Sequence, residues 1–161
     1  MPERIDAMEL SDILSREQIL PELKASNRWE AIDELIGNLA ATGKIKQENL
    51  DAISSVVKKR ETSMSTGIGF GIGIPHASTD LITEVVGSLG RSRTGVNFDA
   101  LDSQPVNLVM LFLVPHGQFQ KHLHTLATIA KLLHKAEFRQ ALEQAPDADT
   151  MLRIIKEHGK K

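Results

Sequence analysis

The stretch from residue 67 to residue 76 constrains this chain more than any other part of its 161 residues. Glycines at positions 67, 69, 71 and 73 alternate with apolar residues, and Pro75 and His76 follow directly. Glycine costs about 1 kcal/mol per position relative to alanine in a helix interior, so this segment cannot form a stable helix. Proline also disfavours helical backbone angles at the residue before it. We therefore predict an extended segment that approaches neighbouring backbone closely.

Apolar periodicity predicts helices on both sides of a central block of strands. Strands are predicted at residues 85–91 and 106–114, and the short segment 19–23 also fits a strand. Apart from Asn107, the strand at 106–114 is apolar on both faces, which is typical of the centre of a sheet. Helices are predicted at residues 27–41, 47–60, 118–134 and 137–145, with a last helix capped by Asp147. This order predicts an α/β domain with helices packed against a sheet.

The overall composition indicates one ordinary globular domain and excludes several classes of protein. We predict a single domain over residues 1–161 with a core at about 8–158, since neither a repeat nor a long linker divides the chain. The formal net charge of −2 argues against a nucleic-acid partner. The longest apolar run, Leu108 to Val114, is far shorter than the roughly 20 residues of a membrane span.

The location and the available nucleophiles follow from the same sequence. Glu3, Asp6 and Glu9 interrupt the N-terminal residues, which therefore contain no apolar core of a signal peptide, and we expect a cytoplasmic protein without membrane insertion.

The chain has no cysteine, so thiol nucleophiles and cysteine-ligated metals are excluded. It also lacks tyrosine but has six histidines, which makes imidazole the most reactive side chain available.

His76 is the first candidate for that chemistry. It ends the glycine-rich stretch, where main-chain N–H groups can turn toward an anion, and Ser65, Thr66 and Gly67 at the head of the stretch add further donors. An imidazole nucleophile beside such donors suits a phosphoryl group in transit. From the spacing alone, an ordinary loop histidine near a turn remains the alternative.

His122 is the second candidate, because it shares one face of the predicted helix at 118–134 with Phe119 and Leu126. It either packs as a hydrogen-bonded core residue or reaches the sheet edge beside His76 and donates to the same phosphate. A zinc site with His116 and His124 is disfavoured. Residues two apart on a helix lie about 200° apart and cannot face one ion, so no metal and no cofactor is predicted.

Arg60 is the third candidate, since it leads into the glycine-rich stretch and its planar guanidinium can pair with a phosphate. The neighbouring lysines at 58 and 59 are also explained by the preference for cations at a helix C-terminus. The glycines themselves match neither a P-loop nor a dinucleotide-binding fingerprint, and no nucleophile elbow is present.

Two sequence blocks together resemble a known family. The first runs from Arg60-Glu61 through Ser65-Thr66-Gly67 to Gly73-Ile74-Pro75-His76, and the second from Pro105-Val106 through Leu113-Val114-Pro115 to His122-Leu123. Both resemble the mannitol/fructose-type enzyme IIA domains of the bacterial phosphoenolpyruvate-dependent phosphotransferase system. The similarity covers about residues 8–158. Gly73, where many members have alanine, and residues 77–79 depart from the usual pattern.

The resemblance implies a mixed sheet sandwiched between helices and a phosphocarrier function. It implies that His76 accepts a phosphoryl group from phospho-HPr and that His122 and Arg60 stabilise the phosphate. Among the sub-families, the chain most resembles the nitrogen-regulatory enzyme IIA. The phosphorylation state of that type is recognised by regulatory protein partners. A sugar-specific enzyme IIA that passes phosphate to a IIB component is the alternative. A non-enzymatic protein-interaction module is the alternative of another class.

Overall fold

A computed structural model gives the fold and describes residues 10–63, 65–100 and 102–159. These residues form a six-stranded mixed sheet with helices on both faces. The predicted α/β fold, a mixed sheet sandwiched between helices, is thereby confirmed. The N-terminal residues on which the signal-peptide prediction rests, and residues 8 and 9 of the predicted core, lie outside the described residues.

The predicted strands and helices follow one another in the predicted order, with one further short helix at Leu10–Ile13 and three short strands in place of one extended segment at 67–76. The strands are β1 (Ile19–Leu20), β2 (Gly67–Gly69), β3 (Ile72–Gly73), β4 (His76–Thr79), β5 (Val86–Val96) and β6 (Val106–Pro115). The helices are α1 (Leu10–Ile13), α2 (Arg28–Ala41), α3 (Leu50–Ser63), α4 (Leu123–Leu133), α5 (Ala136–Gln144) and α6 (Ala148–Gly159), with 3-10 turns at Arg16–Gln18 and Gln47–Asn49. None of the helices in the described ranges is long and apolar enough to cross a membrane.

Strand β6 organises the sheet, as its two apolar faces predict. It pairs antiparallel with β5, which in turn pairs in parallel with β1. On its other side it pairs in parallel first with β3 and then with β4, so that His76 lies opposite Phe112. The glycine-rich stretch therefore runs along one side of β6, with β2 folded back antiparallel on β3.

The side chains of β6 alternate between two hydrophobic layers. Val109, Leu111 and Leu113 pack with the apolar faces of α2 and α3 on one side of the sheet. Leu108, Met110, Phe112 and Val114 pack with α1, α4, α5 and α6 on the other side. All seven side chains have no exposed surface. The sheet is therefore buried on both faces.

Helix α2 begins where the sequence predicts. The side chain of Asn27 accepts a hydrogen bond from the backbone N–H of Glu30 at 3.0 Å, which is the predicted N-cap. In the same way Asp147 accepts from the N–H of Thr150 at 2.9 Å ahead of α6. Short-range capping patterns were thus enough to place both helix starts.

Several boundaries differ from the prediction. Helix α3 runs from Leu50 to Ser63 instead of 47–60, after a 3-10 turn at 47–49, and β1 ends at Leu20 instead of residue 23. Helix α4 begins at Leu123 instead of residue 118, because Gly117 adopts a positive φ of 84° and residues 119–122 form turns before the helix starts. His122 therefore occupies the N-cap position of α4 instead of a place on its face. Strand β5 runs five residues beyond the predicted end at Arg91, across a register shift that the apolar pattern does not mark.

Candidate functional site

His76 is positioned by the backbone just before it. Pro75 lies between β3 and β4, and its carbonyl accepts a hydrogen bond from the N–H of Phe112 at 3.0 Å. The imidazole turns back so that its Nδ1 lies 2.8 Å from the carbonyl oxygen of Ile74. A carbonyl oxygen can only accept a hydrogen bond, so Nδ1 carries the proton and donates it. In the neutral ring Nε2 therefore holds the lone pair.

His76 opens into a pocket of about 480 Å³ between β4 and α3. Helix α3 contributes one face to it, and Arg60 from that face lies in the pocket with His76. The lining residues are Val56, Lys59, Arg60, Ser63, His76, Ala77, Ser78 and Phe119. Two cationic side chains thus line the same pocket as the imidazole, an arrangement suited to an anionic group, whereas the hydroxyl of Ser63 donates to the carbonyl of Arg60 at 2.8 Å.

Phe119 packs against the His76 ring. The two rings are stacked nearly parallel, at an interplanar angle of 10° and a centroid distance of 5.9 Å. Phe119 comes from the turn before α4, and it also packs on the hydrophobic layer that includes Phe112 and Val114. One face of the imidazole is therefore set against an aromatic side chain that the core itself supports.

Burial lowers the pKa of His76 below the ordinary value of 6.5. The hydrogen bond to the carbonyl of Ile74 opposes this shift, the positive charge of Arg60 adds to it, and the negative charge of Glu61 opposes it. Because desolvation is the largest of these effects, the neutral ring predominates at neutral pH.

The predicted donors at the head of the glycine-rich stretch are engaged within the protein. The Ser65 hydroxyl donates to the carbonyl of Phe98 and accepts from the N–H of Gly67 at 3.0 Å. The N–H and the hydroxyl of Thr66 both donate to the carboxylate of Glu61, at 2.8 and 2.7 Å. These groups would have to exchange partners to contact a phosphate, so their role as phosphate-binding residues stays a prediction.

Glu61 fixes the connection between α3 and the glycine-rich stretch. Its side chain is fully buried, and besides Thr66 it binds the guanidinium of Arg28 at 3.3 Å. Since Glu61 directly follows Arg60, this network also anchors the turn of α3 from which Arg60 enters the pocket.

The structure does not bring His122 into the pocket of His76. His122 is only 9% exposed and lines a neighbouring cavity of about 490 Å³ with Gln118, Lys121 and Glu84. No residue lines both cavities, and no hydrogen bond joins the two histidines within the described residues. Burial, together with the positive charge of Lys121, lowers the pKa of His122.

Sequence reasoning missed several residues around His76. Lys59, Ser63 and Val56 share one face of α3 with Arg60, and their spacing of three, four and seven residues could have indicated a common surface. Ser78 lies two positions beyond His76 in β4, on the same face of the strand. The stack of Phe119 on His76 had no sequence signal, because it depends on the turn before α4.

Comparison with known proteins gives consistent matches over nearly the whole chain. Residues 12–158 match the model of a family described as the phosphoenolpyruvate-dependent sugar phosphotransferase system, EIIA 2. A nitrogen regulatory protein of Bradyrhizobium diazoefficiens is 32% identical over 148 residues, covering 92% of this chain and 95% of that protein.

Two further proteins extend these matches. The fructose-specific EIIABC component of the phosphotransferase system of Bacillus subtilis is 33% identical over 153 residues, but this chain spans only 24% of its length. The crystal structure of the nitrogen regulatory protein IIA-Ntr from Neisseria meningitidis superimposes with a TM-score of 0.81 at 26% identity, covering 91% of this chain and 98% of that one.

Proposed function

This chain belongs to the EIIA 2 family of the phosphoenolpyruvate-dependent sugar phosphotransferase system, and we propose that it is a cytoplasmic phosphocarrier whose His76 accepts a phosphoryl group from an HPr-like protein. Membership confirms the resemblance carried by the two sequence blocks and makes the chain a component of the phosphotransferase system. The observation that carries the residue assignment is the hydrogen bond from Nδ1 of His76 to the Ile74 carbonyl, which leaves Nε2 as the nucleophile.

The transfer step follows from that geometry. The lone pair on Nε2 of His76 attacks the phosphorus of the donor phosphohistidine, and a new P–N bond forms as the donor's P–N bond breaks. The electron pair of the broken bond returns to the donor nitrogen. Nδ1 of His76 keeps its proton throughout, because its partner is a carbonyl oxygen. The imidazole thus becomes cationic as it takes up the anionic phosphoryl group.

In this proposal, the cationic side chains that line the pocket with His76 supply the electrostatic stabilisation that phosphoryl transfer requires. Arg60 and Lys59 carry positive charge into the pocket, where the phosphoryl oxygens would lie. We propose Arg60 as the phosphate-stabilising residue, since it also acts on the pKa of His76. His122 lines the neighbouring cavity, and its role in stabilising the phosphate stays a proposal.

A regulatory role of the nitrogen-regulatory type is favoured over sugar transport. The nitrogen regulatory relative and this chain cover each other almost completely, and the superimposed crystal structure is also that of a nitrogen regulatory protein. Regulatory proteins that read the phosphorylation state are the partners this role implies. The alternative is a sugar-specific function in which phosphate passes from His76 to a IIB component.

The test is intact-mass measurement after incubation with phosphoenolpyruvate, enzyme I and HPr. We expect one phosphoryl group per wild-type chain, none on His76→Gln, and normal labelling of the matched control His116→Gln, whose side chain is exposed and outside the pocket. His122→Ala should be labelled more slowly with its fold intact. Full labelling of His76→Gln would contradict the assignment, and a wild-type protein that takes no phosphate would favour an interaction module.

The two phosphocarrier roles separate in a transfer assay. Phosphorylated protein is mixed with a fructose-type IIB component, and the mass of each chain is followed. Retention of the phosphoryl group on this chain supports the regulatory role. Rapid and complete transfer to IIB would support sugar transport instead.

A further inference from the structure

The phosphorylated form of His76 faces a chemical problem that follows from the Ile74 contact. With the phosphoryl group on Nε2 and the proton held on Nδ1, the ring is a cation and hence a good leaving group. The phosphoryl group of such a phosphohistidine transfers readily to an acceptor, but water can also attack the phosphorus and hydrolyse the P–N bond. A carrier of this kind must keep water from the phosphorus between the two transfer steps.

The unwanted reaction can be written out. The oxygen of a water molecule attacks the phosphorus, and the P–N bond breaks with its electron pair returning to Nε2. Both water protons leave with the product as dihydrogen phosphate, and His76 is restored as the neutral ring with its proton on Nδ1. Any group that crowds the phosphorus or holds the ring away from solvent slows this step.

Phe119 lies where such a group is needed. It stacks on one face of the His76 ring and lines the pocket into which His76 opens. Its backbone is held on both sides, since Gln118 N–H donates to the carbonyl of Pro115 at 3.0 Å and His122 N–H donates to the carbonyl of Phe119 at 3.0 Å. The side chain is thus a fixed apolar wall beside the imidazole.

The stack also gains strength when the ring is charged. A cation within about 6 Å of an aromatic centroid and over its face is attracted by the ring quadrupole. The His76 and Phe119 centroids are 5.9 Å apart and their planes are nearly parallel. At this separation nearly parallel rings are displaced sideways, so phosphorylation, which makes the imidazole cationic, adds a modest attraction to a contact that already exists in the unphosphorylated protein.

Resting on the proposed function, we propose that Phe119 is a positioning residue that holds the plane of the His76 ring and shields the phosphohistidine from water, and so sets the lifetime of the phosphorylated state. Arg60 and Lys59 stabilise the phosphoryl oxygens from the α3 side of the pocket. Phe119 acts on the imidazole from the side of α4. The phosphoryl oxygens are thus stabilised from α3, whereas the lifetime of the P–N bond is set from the turn before α4.

The experiment compares phosphohistidine decay in the full chain and its variants. Each protein is phosphorylated with phosphoramidate, a small donor that needs no protein docking, and is then freed of the donor and followed by ³¹P NMR. We expect the phosphohistidine of Phe119→Ala to decay about two- to tenfold faster than that of the wild type. Phe119→Tyr, which keeps the aromatic ring, should restore the wild-type lifetime.

Two further variants keep the test decisive. Leu123→Ala removes an exposed apolar side chain from the start of α4 and should leave the lifetime unchanged. Phe119→Leu retains apolar volume, so it carries the comparison if the alanine variant unfolds, and we expect a lifetime shorter than that of the wild type. The ring ¹⁵N signals of His76 should shift in both Phe119→Ala and Phe119→Leu, which a purely structural role would not produce.

The outcomes separate the two proposals. Phosphorylated Phe119→Ala and Phe119→Leu that decay at the wild-type rate would overturn the role of Phe119 and leave the phosphocarrier function standing. A wild-type protein that takes phosphate from neither phosphoramidate nor HPr would overturn both.

Discussion

At the scale of single residues, the chemistry of this protein depends on how one imidazole is held. The carbonyl of Ile74 fixes the proton on Nδ1 of His76, and burial keeps the ring neutral by lowering its pKa. Both effects serve a nucleophile, which must present a free lone pair at Nε2. Arg60 acts in the same direction, because its positive charge disfavours protonation of the neighbouring ring.

This balance predicts the pH dependence of phosphoryl acceptance. An ordinary histidine, with a pKa of about 6.5, loses half of its neutral form at that pH. Because the pKa of His76 is lower, the labelling rate should fall to half of its high-pH value at a pH below 6.5. NMR titration of the His76 ring checks the prediction independently of the donor proteins. A midpoint above that of histidine in a short peptide would contradict it.

At the scale of secondary structure, the elements that carry local signals were predicted and those that depend on distant contacts were not. Helix α2 and the central strand β6 follow from the Asn27 cap and from an unbroken apolar run. His76 and Arg60 were identified by their sequence context, and they share one pocket. The turn that brings Phe119 onto His76 has no comparable signal, because its position is set by packing on the layer beneath β6.

The glycine-rich stretch leads to a prediction about stability, because one of its glycines has no room for a side chain. A Cβ added at Gly67 would lie 2.8 Å from the Cβ and 3.0 Å from the Cα of Ala100, so there is no room for a side chain. We expect Gly67→Ala to lower the free energy of unfolding by about 1–3 kcal/mol. Gly37→Ala is the matched control, since nothing lies within 4 Å of its added Cβ in α2.

The control should be more stable than the wild type by up to about 1 kcal/mol, because alanine favours the helix. Urea denaturation measures both changes. Equal stability of Gly67→Ala and the wild type would show that the close approach of β2 to Ala100 is not required.

At the scale of the whole molecule, one buried arginine connects the sheet to the helical layer beyond it. Arg91 in β5 is 1% exposed, and its guanidinium donates to the carbonyls of Leu142, at 2.8 Å, and of Ala145 at the C-terminus of α5. Its Nε donates to the carbonyl of Pro21 at 3.0 Å. The guanidinium thereby satisfies carbonyl groups that a helix end would otherwise leave unpaired.

Replacing this arginine should therefore weaken the whole fold. Arg91→Met removes the donors to the carbonyls of Pro21, Leu142 and Ala145. Within the described part of the chain, only the carbonyl of Leu142 keeps a backbone partner, the N–H of Ala145 at 3.4 Å, so the change should cost about 2–4 kcal/mol of unfolding free energy. Arg93→Met, two positions along the same strand, removes only an exposed ion pair with Glu22 at 3.5 Å and should cost less than about 1 kcal/mol. Urea denaturation distinguishes the two. Similar losses in both variants would contradict the role of Arg91.

The central claim, that Nε2 of His76 carries the phosphoryl group, is tested most directly by NMR of the phosphorylated protein. Phosphorus on Nε2 couples to both ring carbon-bound protons of the histidine, whereas phosphorus on Nδ1 has only one of them as a near neighbour. We predict a single phosphohistidine, at His76, with the phosphorus on Nε2 and the proton on Nδ1. A phosphoryl group on Nδ1 of His76, or on any other histidine, would contradict the account.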